Sequence, residues 1–196
     1  MGEVEIPNPH ELHELKEKAF TRRAALTTAI FAVILAISSL GASKVMKEMI
    51  LSQQQASDQW AFYQAKVIRE HLYRIQKMQL EAQLLEKGPS GKADVKEKLE
   101  ALVKKAAEEE KRYNQEKKDI EKEARKLEQE RDLHRAKDPY FEYGEVLLQI
   151  AIVMGTVAIL ANSQAVIRFA MVIAGMGALF ALNGFFLFFR LPFFHH

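Results

Sequence analysis

The sequence contains no cysteine. It therefore has no disulfide framework, no thiolate nucleophile and no cysteine-based metal site. It also lacks a phosphate-binding glycine loop, a nucleophile elbow and the spacing of a metal-ligand cluster. An enzymatic function has no supporting motif, so we predict that the protein is not an enzyme and has no cofactor or metal.

The net charge of the chain is also small. The chain carries 28 Lys and Arg against 26 Asp and Glu, a formal net charge of +2. Between residues 44 and 138 the two signs are mixed, which is typical of a solvated helical surface and not of a basic patch that follows phosphates. We therefore expect no nucleic-acid partner.

The first long apolar segment covers residues 24–43, which hold no charged residue. That length meets the ~20 apolar residues that a helix needs to cross ~30 Å of hydrocarbon. Ser39 and Gly41 would suit a signal-peptide cleavage site, but the preceding segment is long and mixed in charge. We therefore favour a retained anchor, transmembrane helix 1. The preceding residues, 1–23, predict an N-terminal amphipathic segment, with a frayed tail as the alternative.

Two further crossings are predicted near the carboxyl end of the chain. Residues 141–161 predict transmembrane helix 2 and residues 167–189 predict transmembrane helix 3, on either side of a turn at 162–164. Residues 190–196 form a tail, and its final histidines, His195 and His196, are assigned no role.

The junction before the second crossing carries two signals. Asp138-Pro139 is predicted to end the preceding helix, because proline biases the residue before it away from the helical region. Tyr140, Phe141 and Tyr143 follow, which is the pattern of an aromatic belt at a membrane interface.

The polar stretch 44–138 predicts two long helices folded back on each other. Its break is the run Lys-Gly-Pro-Ser-Gly-Lys at 87–92, because glycine and proline together stop a helix. No such breaker separates the first crossing from the first arm, so we expect one helix from Arg22 to about Glu86. The predicted fold class is an all-α membrane protein with three transmembrane helices and a long antiparallel coiled-coil hairpin inserted between the first and second.

Both arms of this hairpin carry apolar residues at coiled-coil spacing. The second arm offers only a narrow stripe, and a solitary hairpin with so thin a stripe would be marginal. We therefore predict that several hairpins associate as a homo-oligomer. The first arm has residues alternately four and three apart, namely Ala61, Ala65, Ile68, Leu72, Ile75, Gln79 and Ala82, and the second arm has a period of seven in Leu99, Ala106, Tyr113, Ile120 and Leu127.

The subunit contact is predicted on the first arm. Trp60, Phe62 and Tyr63 extend over too wide an arc for one neighbouring helix to cover. Asp58 follows a serine in mid-helix, which costs helix propensity, so it indicates either a specific contact between protomers or plain solvation. The predicted oligomer contact comprises Asp58, Trp60, Tyr63, Ile68, Leu72 and Ile75.

The third crossing carries small residues at helical spacing, which let membrane helices approach closely. These predicted packing residues are Ala170, Ala174, Gly177, Ala178 and Ala181. Two amides lie in the predicted membrane, Gln149 and Asn183. They indicate either an interhelical hydrogen bond, which we favour, or a polar path.

The run from Ala56 to Lys66, Ala-Ser-Asp-Gln-Trp-Ala-Phe-Tyr-Gln-Ala-Lys, followed by Ile68 to Tyr73, is similar to a known family. With the junction Asp-Pro-Tyr-Phe at 138–141, it resembles an uncharacterised family of bacterial inner-membrane proteins catalogued as domain of unknown function family 4337. The resemblance covers roughly residues 20–188. It implies a bacterial inner-membrane protein of this topology and implies no catalytic or binding residue.

Charge near the first crossing favours a cytoplasmic N-terminus and a periplasmic hairpin. Lys16, Lys18, Arg22 and Arg23 precede the crossing, and positive charge is enriched on the cytoplasmic side. The basic residues that approach the second crossing favour the inverse, which stays open.

Two functions remain as hypotheses. The first is a structural or scaffolding protein that forms a homo-oligomer in the lipid bilayer and either organises the envelope or holds an unidentified protein partner. The alternative is a channel or transport-accessory protein with a polar path past Gln149 and Asn183.

Overall fold

The computed structural model describes residues 9–87 and 93–190, which form three α-helices and no strand. Helix α1 spans Pro9–Lys87, α2 spans Ala93–Leu160 and α3 spans Gln164–Phe186. The all-α class is therefore confirmed for the described residues. Each helix contains a segment that is long and apolar enough to cross a membrane, judged by length and composition.

Helix α1 is continuous over 79 residues, and the single helix predicted from Arg22 to Glu86 is confirmed. The helix begins earlier than expected, at Pro9, so the described part of the amphipathic segment is the start of α1 and not a separate element. Proline is compatible with a first helical position, because its missing N–H would have no partner there in any case.

Helix α2 passes through Pro139 without ending, so the predicted stop at Asp138-Pro139 is wrong. Proline removes one backbone N–H from the helix, a local cost that packing can outweigh. Tyr140 and Phe141 follow at once and are 2% and 0% exposed. The predicted aromatic belt therefore also needs correction, because two of its three members are inside the protein and only Tyr143 is exposed.

The turn between α2 and α3 lies where the sequence predicts it. Asn162 has a positive φ of 47°, and the Ser163 N–H donates to the Ala158 carbonyl at 3.0 Å. Helix α3 begins at Gln164 and ends at Phe186, in each case three residues before the bounds predicted from hydropathy. Leu187 ends it in the left-handed conformation and donates its N–H to the Asn183 carbonyl at 2.7 Å.

The chain divides into two compact units. Unit 1 combines the described residues up to Glu48 with those from Leu133 onward, and unit 2 is Met49–Asp132. The last residue of α1 and the first residue of α2 lie on either side of the predicted hairpin tip. Residues 88–92 of that tip and 191–196 of the tail lie outside the described part of the chain.

Unit 1 is held together by close contacts at glycines. A methyl group added at Gly184 of α3 would lie 2.8 Å from the Phe141 ring, and one added at Gly41 of α1 would lie 2.7 Å from the same ring. The backbones of α2 and α3 approach each other at Gly144 and Gly177, where an added methyl on either residue would lie 3.0 Å from the carbonyl oxygen of the other. These small residues therefore let the three helices pack closely.

Candidate interaction surface of unit 2

The two helices of unit 2 pack side by side in opposite directions. Gln53 of α1 accepts a hydrogen bond from Arg131 of α2 at 2.9 Å, and Lys77 of α1 donates one to Glu110 of α2 at 2.9 Å. Residue numbers rise along α1 as they fall along α2. The contacts within unit 2 are therefore those of an antiparallel helix pair.

The face of α1 that packs on α2, here named the packed seam, repeats every three and four residues. All of its members are buried or half-buried. It carries charge at its centre, with Lys66, Glu70 and Lys77. The packed seam comprises Ser52, Ala56, Gln59, Tyr63, Lys66, Glu70, Tyr73, Lys77, Leu80 and Leu84.

Glu70 is the most deeply buried charged residue that the structure describes, with 1% of its surface exposed. Its carboxylate accepts hydrogen bonds from Asn114 at 2.9 Å and from Arg74 at 3.0 Å, and it forms an ion pair with Lys117. A buried carboxylate is costly unless it is paired and hydrogen-bonded. These three donors supply that pairing, and the two that lie on α2, Asn114 and Lys117, tie α1 to α2 at this level.

The protonation of Glu70 follows from this environment. Burial alone would raise the pKa of its carboxyl group, because it disfavours the charged form. The hydrogen bonds from Lys117 and Asn114, together with the charges of Lys117 and Arg74, outweigh burial and lower the pKa below its ordinary value. Glu70 is therefore ionised at neutral pH and binds α2 as an anion.

Further polar contacts extend from this centre. The hydrogen bonds from Arg74 and Lys77 lower the pKa of the Glu110 carboxyl group, and the hydrogen bond from Lys66 lowers that of Glu116. The buried Tyr113 ring stacks on Tyr73, with ring centroids 5.6 Å apart. The Arg69 guanidinium lies 5.9 Å from the Tyr113 ring centroid.

A second seam on α1, here named the exposed seam, has the same spacing and is offset from the packed seam by two residues. Its members are Ala61, Ala65, Ile68, Leu72, Ile75, Gln79 and Ala82. Each is exposed in the single chain, and both Ile68 and Leu72 are 60% exposed. The apolar spacing that the sequence displays most clearly therefore marks the outer face of unit 2.

Polarity in this part of α1 is reversed relative to an ordinary surface helix. Residues 61–82 contain six Lys, Arg, Asp and Glu residues, and five of them reach side chains of α2. These five are Lys66, Arg69, Glu70, Arg74 and Lys77. Among them Lys66, Glu70 and Lys77 are buried or half-buried beside α2, whereas the aliphatic Ile68, Leu72 and Ile75 are exposed.

The other predicted contact residues differ from Ile68, Leu72 and Ile75 in their surroundings. The Trp60 indole N–H donates to Glu128 of α2 at 2.9 Å, and Tyr63 lies edge-on to Trp60 with ring centroids 5.3 Å apart. Asp58 is exposed and accepts a hydrogen bond from Gln54 within α1 at 3.1 Å. Trp60 and Tyr63 thus support the packing of α1 on α2, and Asp58 lies outside that packing.

The small residues predicted to pack in the third crossing lie toward the rest of unit 1. Ala170, Ala174, Gly177 and Ala181 are buried there, and Ala178 is half-buried. Their face of α3 packs on α2, since Gly177 approaches Leu147 and Leu148 as well as Gly144. This face is therefore occupied within the chain.

The two predicted membrane amides lie in different settings. The Asn183 amide nitrogen donates to the Phe189 carbonyl at 2.8 Å, and its oxygen accepts the Phe189 N–H at 2.9 Å. Among the described residues Asn183 therefore bonds to the backbone that follows α3, and the favoured interhelical hydrogen bond is not the one observed. Gln149 is exposed on α2.

Sequence reasoning missed the packed seam because its central residues are charged. In the sequence, opposite charges four apart along α1, as in Glu70 and Arg74, are equally typical of a solvated helix face. The partner seam on α2 was visible from its period of seven, and Ala106, Tyr113, Ala124 and Leu127 are buried.

Comparison with known proteins adds a family but no activity. The family model described as a domain of unknown function, DUF4337, matches residues 20–187. No curated protein and no solved structure matches the chain significantly. Because the family model covers far more than half of the chain, this protein belongs to the DUF4337 family.

Proposed function

We propose that the protein is a structural or scaffolding membrane protein that assembles as a homo-oligomer through the exposed seam. The observation that carries this proposal is the reversed polarity of α1. Glu70 is 1% exposed between the helices while Ile68 and Leu72 are 60% exposed outside them. The charged side chains of α1 thus contact α2, while its aliphatic seam faces outward. Such a seam is suited to pack against an apolar surface of another chain.

The energetics favour an apolar neighbour at this seam. Complete burial of a Leu or Ile side chain contributes about 1.5–3 kcal/mol. Ile68, Leu72 and Ile75 each leave about half or more of their surface exposed, so their burial offers several kcal/mol per chain by the same scale. A second copy supplies an identical seam with identical spacing, which makes it the partner of choice over an unidentified protein.

Membrane embedding is the second part of the proposal. Each of the three helices contains a segment long and apolar enough to cross a bilayer, and the aliphatic side chains of unit 1 that face outward, such as Leu26, Ile30 and Val33, suit contact with lipid. In this arrangement unit 2 remains in water, where its charged surface is solvated. The location that we propose is a bacterial inner membrane, as the resemblance in the sequence implies, with a cytoplasmic N-terminus and a periplasmic unit 2.

The channel alternative has less support. One donor and one acceptor of the Asn183 amide are engaged by the Phe189 backbone, which holds this side chain against the end of its own helix. We expect purified protein in liposomes to show no ion flux that Asn183→Leu abolishes. Such a flux would favour the channel.

The test of the proposal is a pair of matched substitutions measured by native mass spectrometry in mild detergent. Ile68→Asp with Leu72→Asp places charge in the exposed seam and should reduce the complex to monomers. Val95→Asp with Leu102→Asp makes the same double change at exposed apolar residues of α2 and should leave the complex intact. An unchanged complex in the seam variant would place assembly elsewhere and refute the proposal.

A further inference from the structure

The exposed seam holds a pattern that specifies how copies would pack. Its 4-3 spacing assigns Ala65, Leu72 and Gln79 to the a positions of a heptad and the other members to d. At the centre of the seam Leu72 occupies a between Ile68 and Ile75 at d, and leucine at a with isoleucine at d shifts parallel coiled coils toward three or four strands. Resting on the proposed homo-oligomer, we infer that three or four copies pack their α1 helices in parallel and in register, with each α2 on the outside.

The placement of α2 outside follows from the angle between the two seams. The packed seam and the exposed seam are offset by two residues, and each residue turns ~103° at 3.5 residues per turn, so the seams lie on roughly opposite sides of α1. Helix α1 can therefore hold α2 on one side and neighbouring copies on the other. The α2 segment of unit 2 has few large exposed apolar residues, Val95 and Leu102, so assembly ends there.

The residues beside the exposed seam favour parallel packing. Between parallel neighbours, Gln64 of one copy would face Arg69 of the next, and His71 would face Gln76, so no like charges meet. In an antiparallel pair that aligns Ile68 of one copy with Leu72 of the other, Arg69 of each copy would lie opposite Arg69 of the other, so like charges would meet.

Gln79 is the polar member of the exposed seam. In a parallel, in-register assembly the Gln79 amides of neighbouring copies meet and can hydrogen-bond with each other. In the antiparallel alignment Gln79 lies opposite Ala61, and its amide is buried without a partner, which proteins avoid. A polar residue at a single a position is an established means of fixing register.

The contact has defined ends. The next a positions of the same repeat are Asp58 before the exposed seam and Glu86 after it, and both are acidic. Like charges at those layers repel between parallel copies and confine the apolar contact to residues 61–82, which span roughly 33 Å of helix at ~1.5 Å per residue.

Disulfide cross-linking tests the orientation, because the chain contains no cysteine. We expect the full chain with Ala61→Cys, and separately with Ala82→Cys, to form a covalent dimer on mild oxidation in detergent. Ala101→Cys on the exposed face of α2 is the matched control and should not. Products only from mixtures of Ala61→Cys with Gln79→Cys would show antiparallel packing and overturn the inference.

Native mass spectrometry of the unmodified protein tests the copy number and separates two failures. Three or four copies support the inference. Two copies would overturn it while leaving the homo-oligomer of the proposed function in place. Monomers, together with no cross-linking at either seam position, would overturn the proposed function itself.

Discussion

At the residue scale, single small side chains determine how unit 1 packs. Phe141 is fully buried, and its ring lies against Gly184 of α3 and Gly41 of α1. Gly175 lies on the same helix as Gly184 but has no neighbouring atom within 4 Å of an added methyl group. A larger residue would therefore clash at Gly184 but has room at Gly175.

We expect Gly184→Ala to lower the thermal stability of the detergent-solubilised protein. The added methyl would lie 2.8 Å from a ring that is itself enclosed, and overpacking of this kind costs about 1–3 kcal/mol. Gly175→Ala should be neutral or stabilising, since alanine is favoured over glycine in a helix by about 1 kcal/mol. Equal effects of the two changes in a thermal melt would contradict the described packing.

Ser38 supports a second prediction. It is 1% exposed, and its hydroxyl oxygen has no hydrogen-bond partner among the described residues. An unsatisfied buried polar group costs about 1–3 kcal/mol, so Ser38→Ala should preserve or raise the melting temperature. Ser39→Ala, at an exposed neighbour, should leave it unchanged. A clear loss of stability in Ser38→Ala alone would show that the hydroxyl is bound.

At the element scale, helix α1 carries two repeats of the same period with opposite polarity. The sequence predicts the continuity of α1 and the apolar seam with Ile68 and Leu72, because both depend on local spacing. It does not predict that Glu70 faces α2, since a charged residue in a packed interface depends on donors from a helix distant in sequence, Lys117 and Asn114. The predicted helix end at Asp138-Pro139 is wrong for a related reason, because burial of Phe141 outweighs a local backbone preference.

The lowered pKa values of three carboxyl groups in unit 2 predict that the folded chain loses stability in acid. The pKa values of Glu70, Glu110 and Glu116 are lowered in the folded chain from an ordinary value of 4.5. A lowered pKa contributes stability that is fully present above the ordinary value and is lost as the pH falls through the folded value. We therefore expect the melting temperature followed by circular dichroism to fall as the pH decreases below about 4.5.

Glu70→Gln should lower the melting temperature at neutral pH and weaken its dependence on acid, because the buried anion is gone while its cationic partners remain. Glu123→Gln, at an exposed position of α2, is the control and should preserve both properties. If the two variants follow the same pH profile, the Glu70 cluster does not stabilise the helix pair.

At the scale of the whole molecule, assembly depends on what covers the exposed seam. The family assignment supplies no activity. The small-residue face of α3 is already occupied within the chain, whereas the exposed seam of α1 is not. Assembly through that seam is therefore the central claim, and it concerns the accessibility of a few side chains.

Cysteine labelling measures that accessibility most directly, because each engineered cysteine is the sole thiol in the chain. Ala65→Cys and Ala101→Cys are both exposed positions in the single chain. We predict that a soluble maleimide labels Ala65→Cys slowly and Ala101→Cys rapidly in the reduced native protein, and that adding Leu72→Asp makes Ala65→Cys react as rapidly as Ala101→Cys. Equally rapid labelling of both positions without Leu72→Asp would show that the seam is open to water and would contradict the account.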